Sequence, residues 1–293
     1  EDLRDNSPLL QPLGEFLKAQ GFSDEFRDWY FLPMMGCIWS CPTDQMLAFP
    51  VATMVRFCHN HGLLQITNRP QWYTVPGGAR RYVNKIVERI ADKRLSTPVQ
   101  QVLRDESGVR VITQGQVERF DAIVMACHSD QALRLLGPQA TATEREVLGA
   151  IRYQPNRAVL HTDASVLPEN PRAWAAWNYE RAPSANVESA QVCLHYLLNR
   201  LQPLPVAQPV VVSLNPQQAI DPASVIGEYE YAHPVFDLAA IRDTATLMYY
   251  ARFFYGADQL QGIVAHFLQK QGKQRTLELN CEKAASHLIT RPM

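Results

Sequence analysis

The sequence has almost no net charge and no long apolar run, and each of these absences excludes a class of protein. It holds 28 Lys and Arg residues against 29 Asp and Glu residues, which leaves a net charge of −1. Nucleic-acid binding depends on a surplus of basic residues facing the phosphates, so we expect no nucleic-acid partner. The longest apolar stretches, such as 123–127 and 210–214, are far shorter than the roughly 20 residues that a membrane-spanning helix needs. We therefore expect no transmembrane segment.

Several catalytic and metal-binding signatures are also missing. The chain has no G-x-S-x-G nucleophile elbow, no G-x-x-x-x-G-K-[ST] loop and no G-x-G-x-x-G loop. Cys37 and Cys41 lie close together, with His59 and His61 as the nearest further donors, but a structural zinc site takes its four ligands in tight local pairs. We expect no metal site. The scattered cysteines in apolar surroundings are typical of reduced thiols in a cytoplasmic protein.

The first part of the chain, from about residue 9 to residue 60, has the apolar spacing of helices. Gly21 is placed to end one helix and Ser23 to cap the next. Further on, Gly77 and Gly78 precede another amphipathic helix. Without a third glycine at the required offset, this pair predicts a turn with positive φ rather than a nucleotide loop. The apolar stripe of the helix that follows is Tyr82, Val83, Ile86, Val87 and Ile90.

The next segment alternates like a three-stranded antiparallel meander, with strands predicted at 99–104, 109–113 and 117–120. The run AIVMA at 122–126 then has the composition of a strand buried on both faces of a parallel sheet. Ser129 is placed to cap a helix directly afterwards. This arrangement would put residues 126–128 at the carboxyl edge of a sheet, where α/β proteins bind ligands.

After a helix predicted at 143–151 the pattern changes to short strands separated by Pro- and Asn-rich loops. The segments NRAVLHTD, AWAAWNYE, SAQVCLHYLL, QPVVVSLNP and SVIGEYEYAHPVF predict five strands of a separate, largely antiparallel sheet. From Asp237 onward the sequence predicts two helices, one to about residue 255 and one through residue 270. The fold class predicted is mixed α/β.

The order of these elements resembles flavin-dependent amine oxidoreductases. The resemblance is carried by WYTVPGGARRYVNKI, TPVQQV, GVRVIT and FDAIVMACHSDQALRLL. Further segments, among them AVLHTDASVLP, AWAAWNY, LNRLQPL and YEYAHPVFD, are similar to the bacterial subgroup of NAD/FAD-binding oxidoreductases. The resemblance covers residues 9–240, most of the chain.

The resemblance implies a partial, Rossmann-like FAD-binding domain containing the β-meander, together with a substrate domain built from an antiparallel sheet and helices. We expect a helical part of the substrate domain at 1–75, the FAD-binding part at 76–140, the antiparallel sheet at 141–240 and divergent helices at 241–293. In the family the dinucleotide-phosphate loop comes near the N-terminus, ahead of anything present here. We therefore expect an N-terminally truncated copy.

The activity implied is an FAD-dependent oxidation in which a small or lipid-like substrate gives a hydride to the flavin. The missing phosphate loop leaves a second interpretation open, namely a non-catalytic remnant or a substrate-binding module without flavin. A third interpretation, a nicotinamide-dependent dehydrogenase, requires the same missing loop, and no other motif in the sequence supports it. The oligomeric state is left open.

The resemblance also implies which residues contact the cofactor. The backbone of Val99 would hold the adenine, Ala126 and Cys127 would lie beside the dinucleotide, and Gly77 and Gly78 would let the backbone approach the flavin. Val99 is equally explained as an ordinary strand valine.

Candidates for catalysis are fewer. His233 is a possible base because a histidine titrates near neutral pH, although a His-Pro pair at a strand end is more often a structural corner. Trp177 and Tyr179 are candidates for an aromatic wall over a flavin, with core packing as the alternative, and His161 is a weaker candidate of the same kind. No lysine matches the one that many amine oxidases place near the flavin.

Overall fold

The computed structural model describes residues 10–65, 67–181, 192–235 and 237–240, which form two compact units. The sheet unit comprises the described parts of 1–56, 74–94 and 152–238, and the meander unit those of 57–73, 95–151 and 239–293. Both units combine helices with antiparallel strands, so the predicted mixed α/β class is confirmed. The predicted C-terminal helices lie outside the described residues from residue 241 onward.

The sheet unit begins with short helices, as the apolar spacing predicts. Gly21 has φ +70° after the first helix, and the Ser23 hydroxyl accepts a hydrogen bond from the Phe26 N–H at 3.2 Å, so the predicted cap is confirmed. The first stretch of the sheet unit ends at residue 56. The helices are α1 (Leu13–Ala19), α2 (Asp24–Phe26), a π-helical turn (Arg27–Phe31), α3 (Leu32–Trp39), α4 (Thr43–Leu47), α5 (Val51–Asn60) and α6 (Arg80–Val87).

The centre of this unit is a five-stranded antiparallel sheet, and all five predicted strands are confirmed. The strands are β4 (Arg152–His161), β5 (Trp177–Glu180), β6 (Cys193–Leu197), β7 (Val211–Leu214) and β8 (Val225–Val235), with the short helix α9 (Leu198–Leu201) after β6. Their order in the sheet is β5-β6-β7-β4-β8. One face packs Leu194 and Leu214 against Cys37 of α3, and the opposite face packs Val211 against Leu167.

The meander unit contains the three predicted strands in the order β1-β2-β3. They are β1 (Gln101–Asp105), β2 (Gly108–Thr113) and β3 (Gln116–Phe120), followed by α7 (Ser129–Leu136) and α8 (Ala142–Ala150). Val102 and Val109 of the meander pack against Leu136 of α7 to form its core. The N-cap of α7 is His128, whose backbone N–H donates to Gln131; the prediction that Ser129 caps this helix is wrong by one residue.

The strand predicted at 122–126 does not form. None of residues 121–127 makes a backbone hydrogen bond to a described residue, and Val124 is 85% exposed. The segment instead packs Ile123 and Met125 onto the core of the meander unit, and its alternate residues face outward. An all-apolar run is typical of a strand inside a parallel sheet, and every strand pair among the described residues is antiparallel.

Helix α6 forms where predicted, but its apolar stripe is not buried. Gly77 and Gly78 have φ +81° and +80°, which confirms the predicted turn with positive φ. The stripe residues are between 38% and 57% exposed. Periodicity therefore identified the helix correctly, whereas it could not show whether a second surface covers the apolar side.

The thiols of the sheet unit are buried, as the apolar surroundings predict. Cys37 and Cys41 form no disulfide, and burial raises the pKa of each to about 12. Within the described part of the chain, no helix has the combination of length and apolarity that crossing a bilayer requires.

An ion pair between β1 and α8 gives the meander unit a testable dependence on pH. Arg104 donates to both carboxylate oxygens of Glu144, at 2.6 and 2.9 Å, and the Thr141 N–H donates to the same carboxylate. These contacts lower the pKa of Glu144 from 4.5 to about 2. Since the carboxyl group is protonated more readily in the unfolded chain, its contribution is complete above about pH 5 and is lost as the pH falls towards 2.

We expect Glu144→Gln to lower the free energy of unfolding at neutral pH by about 1–2 kcal/mol, because solvent screens a pair that is about one-third exposed. Urea unfolding at neutral and acidic pH measures this effect. Glu146→Gln, at an exposed position of the same helix, is the matched control and should leave stability nearly unchanged. Equal acid sensitivity of the two variants would contradict the assignment.

Candidate functional site

The backbone of Val99 is open at the entrance to the meander. Gln100 donates its N–H to Ile112 O at 2.8 Å and so begins the ladder with β2. Val99, one residue earlier, makes no hydrogen bond to a described residue, although a backbone N–H and C=O both require partners. This backbone can therefore donate to and accept from the edge of a planar, polar ring such as adenine.

Ala126 and Cys127 lie at the exposed end of the extended segment in the same unit. Neither residue makes a backbone hydrogen bond to a described residue, and the Cys127 thiol is free and exposed. The meander unit thus contains Val99, Ala126 and Cys127 with their backbone polar groups available.

Gly77 and Gly78 belong to the sheet unit and are described within it. A Cβ added at Gly78 would meet only Gln202 Oε1, at 3.9 Å, so space beside this residue is open. The positive φ of both residues and this open space fit a close approach of the backbone to a flat ligand.

Trp177 and Tyr179 lie on the edge strand β5, and His233 lies on the opposite edge strand β8. The register places Tyr179 and His233 on the same face of the sheet, but three strands separate them. Four inter-strand steps correspond to about 19 Å. The sheet therefore does not bring the three predicted catalytic residues together at one point.

The local contacts of these residues differ. Trp177 is partly exposed, and its ring meets that of Tyr196 edge-on with centroids 6.3 Å apart. Tyr179 is packed against the core, and burial raises its pKa. At this edge of the sheet, Tyr179 thus belongs to the core, whereas Trp177 is partly exposed.

His233 is held by a side-chain amide. Asn156 Nδ2 donates to Gln154 O at 3.1 Å, which fixes the orientation of the amide, and the same nitrogen lies 3.0 Å from His233 Nδ1. Nδ1 is therefore an acceptor, and in the neutral ring the proton lies on Nε2. A base needs a free ring nitrogen with a lone pair, so this geometry gives the predicted base no support.

A cluster that sequence patterns did not reveal lies on the other face of the sheet. His161 of β4, Ser213 of β7 and His195 of β6 are 0%, 0% and 2% exposed. Ser213 Oγ lies 2.7 Å from His161 Nε2 and 2.7 Å from His195 Nδ1. Glu180 Oε2 of β5 lies 3.0 Å from His195 Nε2.

One set of directions gives every polar atom of this cluster a partner, and it begins at a backbone N–H. Asp163 N–H donates to His161 Nδ1 at 3.1 Å, so the His161 proton is on Nε2 and is donated to Ser213. The Ser213 hydroxyl then donates to His195 Nδ1, and His195 Nε2–H donates to the Glu180 carboxylate. Every polar atom of the relay has a partner while both imidazoles are neutral.

The electrostatics agree with a neutral His161 and a charged Glu180. Burial lowers the pKa of His161 and outweighs the nearby Asp163 carboxylate, which by itself would raise that pKa. Burial alone would raise the pKa of Glu180, but hydrogen bonds from His195, Cys193 and Gln218 outweigh it and lower the pKa. The relay, defined as Asp163–His161–Ser213–His195–Glu180, is a satisfied polar network whose three central side chains are buried and whose two ends are partly exposed.

The sequence contained a weak signal for this cluster. Cys193 and His195 alternate within an apolar strand, and Ser213 interrupts the run VVVSL. Polar residues at inward positions of a strand need partners, so such interruptions predict a network. Only the sheet register shows which residues meet.

Comparison with known proteins places the chain among flavoproteins. A family model described as flavin containing amine oxidoreductase matches residues 6–183, more than half of the chain. No curated protein sequence matches the chain significantly.

Three solved structures are similar to the chain at low sequence identity. A protein assigned as a protoporphyrinogen oxidase from Exiguobacterium sp. 255-15 has a TM-score of 0.58 at 14% identity, over 87% of this chain and 63% of its own. A CLA-producing fatty acid isomerase from P. acnes has a TM-score of 0.47 at 14% identity, over 78% of this chain and 55% of its own. An oxidoreductase from Methanosarcina mazei has a TM-score of 0.45 at 16% identity, over 78% and 58%. The first shares the fold, and this chain spans less than two thirds of the length of each.

Proposed function

The chain belongs to the flavin-containing amine oxidoreductase family, and from that premise we propose that it is part of an FAD-dependent oxidoreductase acting on a small or lipid-like substrate. Flavin, when bound, supplies the chemistry of accepting a hydride from the substrate. The residues of this chain would bind the adenine, orient the substrate and exclude water. The substrate class follows from the family resemblance, and the partly exposed indole of Trp177 suits an apolar substrate.

The observation that carries this proposal is the open backbone of Val99 in a meander that the family match includes. A strand entrance whose N–H and C=O make no hydrogen bond to any described residue suits adenine, which presents a donor beside an acceptor on one edge. Ala126 and Cys127, in the same unit, are proposed to lie beside the dinucleotide. Gly77 and Gly78 are proposed to approach the flavin.

On the substrate side, Trp177 is proposed to contribute an exposed aromatic surface, with Tyr179 behind it. The edge-on contact between Trp177 and Tyr196 holds the indole in place. His233 is proposed only to position a neighbour through Nε2–H, since Asn156 occupies its other ring nitrogen.

A second candidate is a remnant that binds a substrate without flavin. It is favoured by one observation, namely that the 293 residues contain no G-x-G-x-x-G loop to bind the diphosphate. The two candidates differ in colour, because only a flavin-binding chain would be yellow or change the spectrum of added FAD.

The role of Val99 predicts a selective loss of FAD affinity. Val99→Pro removes the backbone N–H and disturbs no hydrogen bond between described residues. We expect FAD to bind about tenfold more weakly, the equivalent of one hydrogen bond, while FMN, which lacks the adenine, binds equally to both proteins. Flavin fluorescence titration measures the four dissociation constants.

Val99→Ala keeps the N–H and is the matched control, expected to bind FAD like the unmodified chain. Two results would refute the adenine contact. One is an equal loss of FAD and FMN affinity in Val99→Pro, and the other is an equal loss of FAD affinity in the two variants.

A further inference from the structure

Among the described residues, one set of three side chains has donor atoms close enough together to hold a metal ion. It consists of Glu180, Cys193 and His195. His195 Nε2 lies 3.0 Å from Glu180 Oε2. Cys193 Sγ lies 3.2 Å from the same oxygen and 3.6 Å from His195 Nε2.

These distances match a tetrahedral zinc centre. Zinc bond lengths of about 2.3 Å to sulfur and about 2.0–2.2 Å to nitrogen and oxygen, at tetrahedral angles, place sulfur about 3.6 Å from the other two donors and nitrogen about 3.4 Å from oxygen. All three observed distances fall within about 0.4 Å of these values. We propose that Glu180, Cys193 and His195 form a binding site for a zinc-type divalent cation.

The sheet holds the three donors on one surface. Cys193 and His195 are two residues apart on β6 and therefore point to the same face. Glu180 on β5 is directly opposite Cys193 in the register. Because the backbone ladder sets these positions, the ligands need only small side-chain movements to enclose an ion.

The donor types select the kind of cation. A thiolate, an imidazole and a carboxylate suit zinc, whereas calcium and magnesium prefer sites made of oxygen alone. Three protein ligands leave a fourth position for water or another small ligand. The site lies on the face opposite Trp177 and Tyr179, so it is separate from the proposed flavin chemistry.

Metal binding has a defined proton balance. Cys193 binds as the thiolate and releases its proton to solvent. His195 stays neutral, but its proton moves from Nε2, which binds the ion, to Nδ1, which donates to Ser213 Oγ. Ser213 Oγ has two lone pairs and can accept from both imidazoles. The cost is that the Ser213 hydroxyl proton loses its present acceptor. This cost is small compared with the free energy gained from three metal–ligand bonds.

Cobalt(II) is the spectroscopic probe for this site, added to the chelator-treated 293-residue chain. We expect one equivalent to give a thiolate-to-cobalt band in the near ultraviolet and intense visible bands of a tetrahedral ion, both removed by excess Zn²⁺. Calorimetry of Zn²⁺ binding in buffers of different ionisation enthalpy should show the release of one proton. Cys193→Ser and His195→Gln should lose the bands, whereas Cys127→Ser, which removes an exposed thiol of the other unit, should retain them.

Circular dichroism establishes that each variant is folded. Bands that persist in folded Cys193→Ser, or that disappear in Cys127→Ser, would overturn the site. If neither ligand variant folds, the unmodified chain decides, because the absence of a stoichiometric thiolate band in it overturns the proposal by itself. Flavin binding takes no part in the measurement, so its outcome is independent of the proposed oxidoreductase function.

Discussion

Ser213→Ala is expected to lower the free energy of unfolding by about 2–5 kcal/mol, one of the two largest effects that the structure predicts. The substitution removes the acceptor of His161 Nε2–H and the donor to His195 Nδ1, each at 2.7 Å. Both rings are almost completely buried, so water cannot replace the lost hydroxyl without opening the sheet. A buried polar group without a partner costs about 1–3 kcal/mol.

Urea unfolding followed by tryptophan fluorescence measures this loss. Gln208→Ala is the control, since that residue belongs to the same unit and is exposed, and its effect should stay within about 0.5 kcal/mol. If Ser213→Ala were as mild as the control, the hydroxyl would not link the two imidazoles and the directed relay would be wrong.

Gly108→Ala should have an effect of similar size in the other unit. Gly108 has φ +129°, and a Cβ there would lie 2.5 Å from the backbone oxygen of Phe120. That oxygen belongs to the end of β3 and cannot move without disturbing the meander. We expect a loss of about 3 kcal/mol from the clash and the unfavourable φ together, and weaker FAD binding because the same meander holds Val99.

Gly115, in the turn between β2 and β3, provides a matched control within the same meander. It also has positive φ, at +79°, but a Cβ there would meet nothing within 4 Å. Gly115→Ala should therefore cost only the backbone strain, about 1 kcal/mol. Thermal or urea unfolding of the two variants separates steric crowding from strain, and equal losses would show that the contact with Phe120 is unimportant.

The sequence predicted those elements whose evidence is local. Alternation and turn residues are properties of short segments, and they located the three strands of the meander and the five strands of the sheet. Ser23 was identified as a cap because capping involves residues three positions apart. The family was identified from whole segments such as FDAIVMACHSDQALRLL, and the match to residues 6–183 confirms it.

What the sequence could not show depends on partners far along the chain. The run at 122–126 has the composition of a buried strand, but composition does not reveal whether a neighbouring strand exists. The apolar stripe of α6 indicates that this segment is a helix, but it does not indicate which surface, if any, covers the stripe. His161 and Ser213 are 52 residues apart, and only the antiparallel register places them in contact. For the same reason, the sequence could not show that His233 and Trp177 lie on opposite edge strands of the sheet.

Titration of the purified chain with FAD tests the central claim most directly. The meander with its open Val99 backbone should bind the dinucleotide, so the account predicts a saturable change in the flavin absorbance spectrum and quenching of flavin fluorescence, with one FAD per chain. A flavin spectrum identical to that of free FAD throughout the titration would contradict it, and the chain would then be a module of this family that binds no flavin.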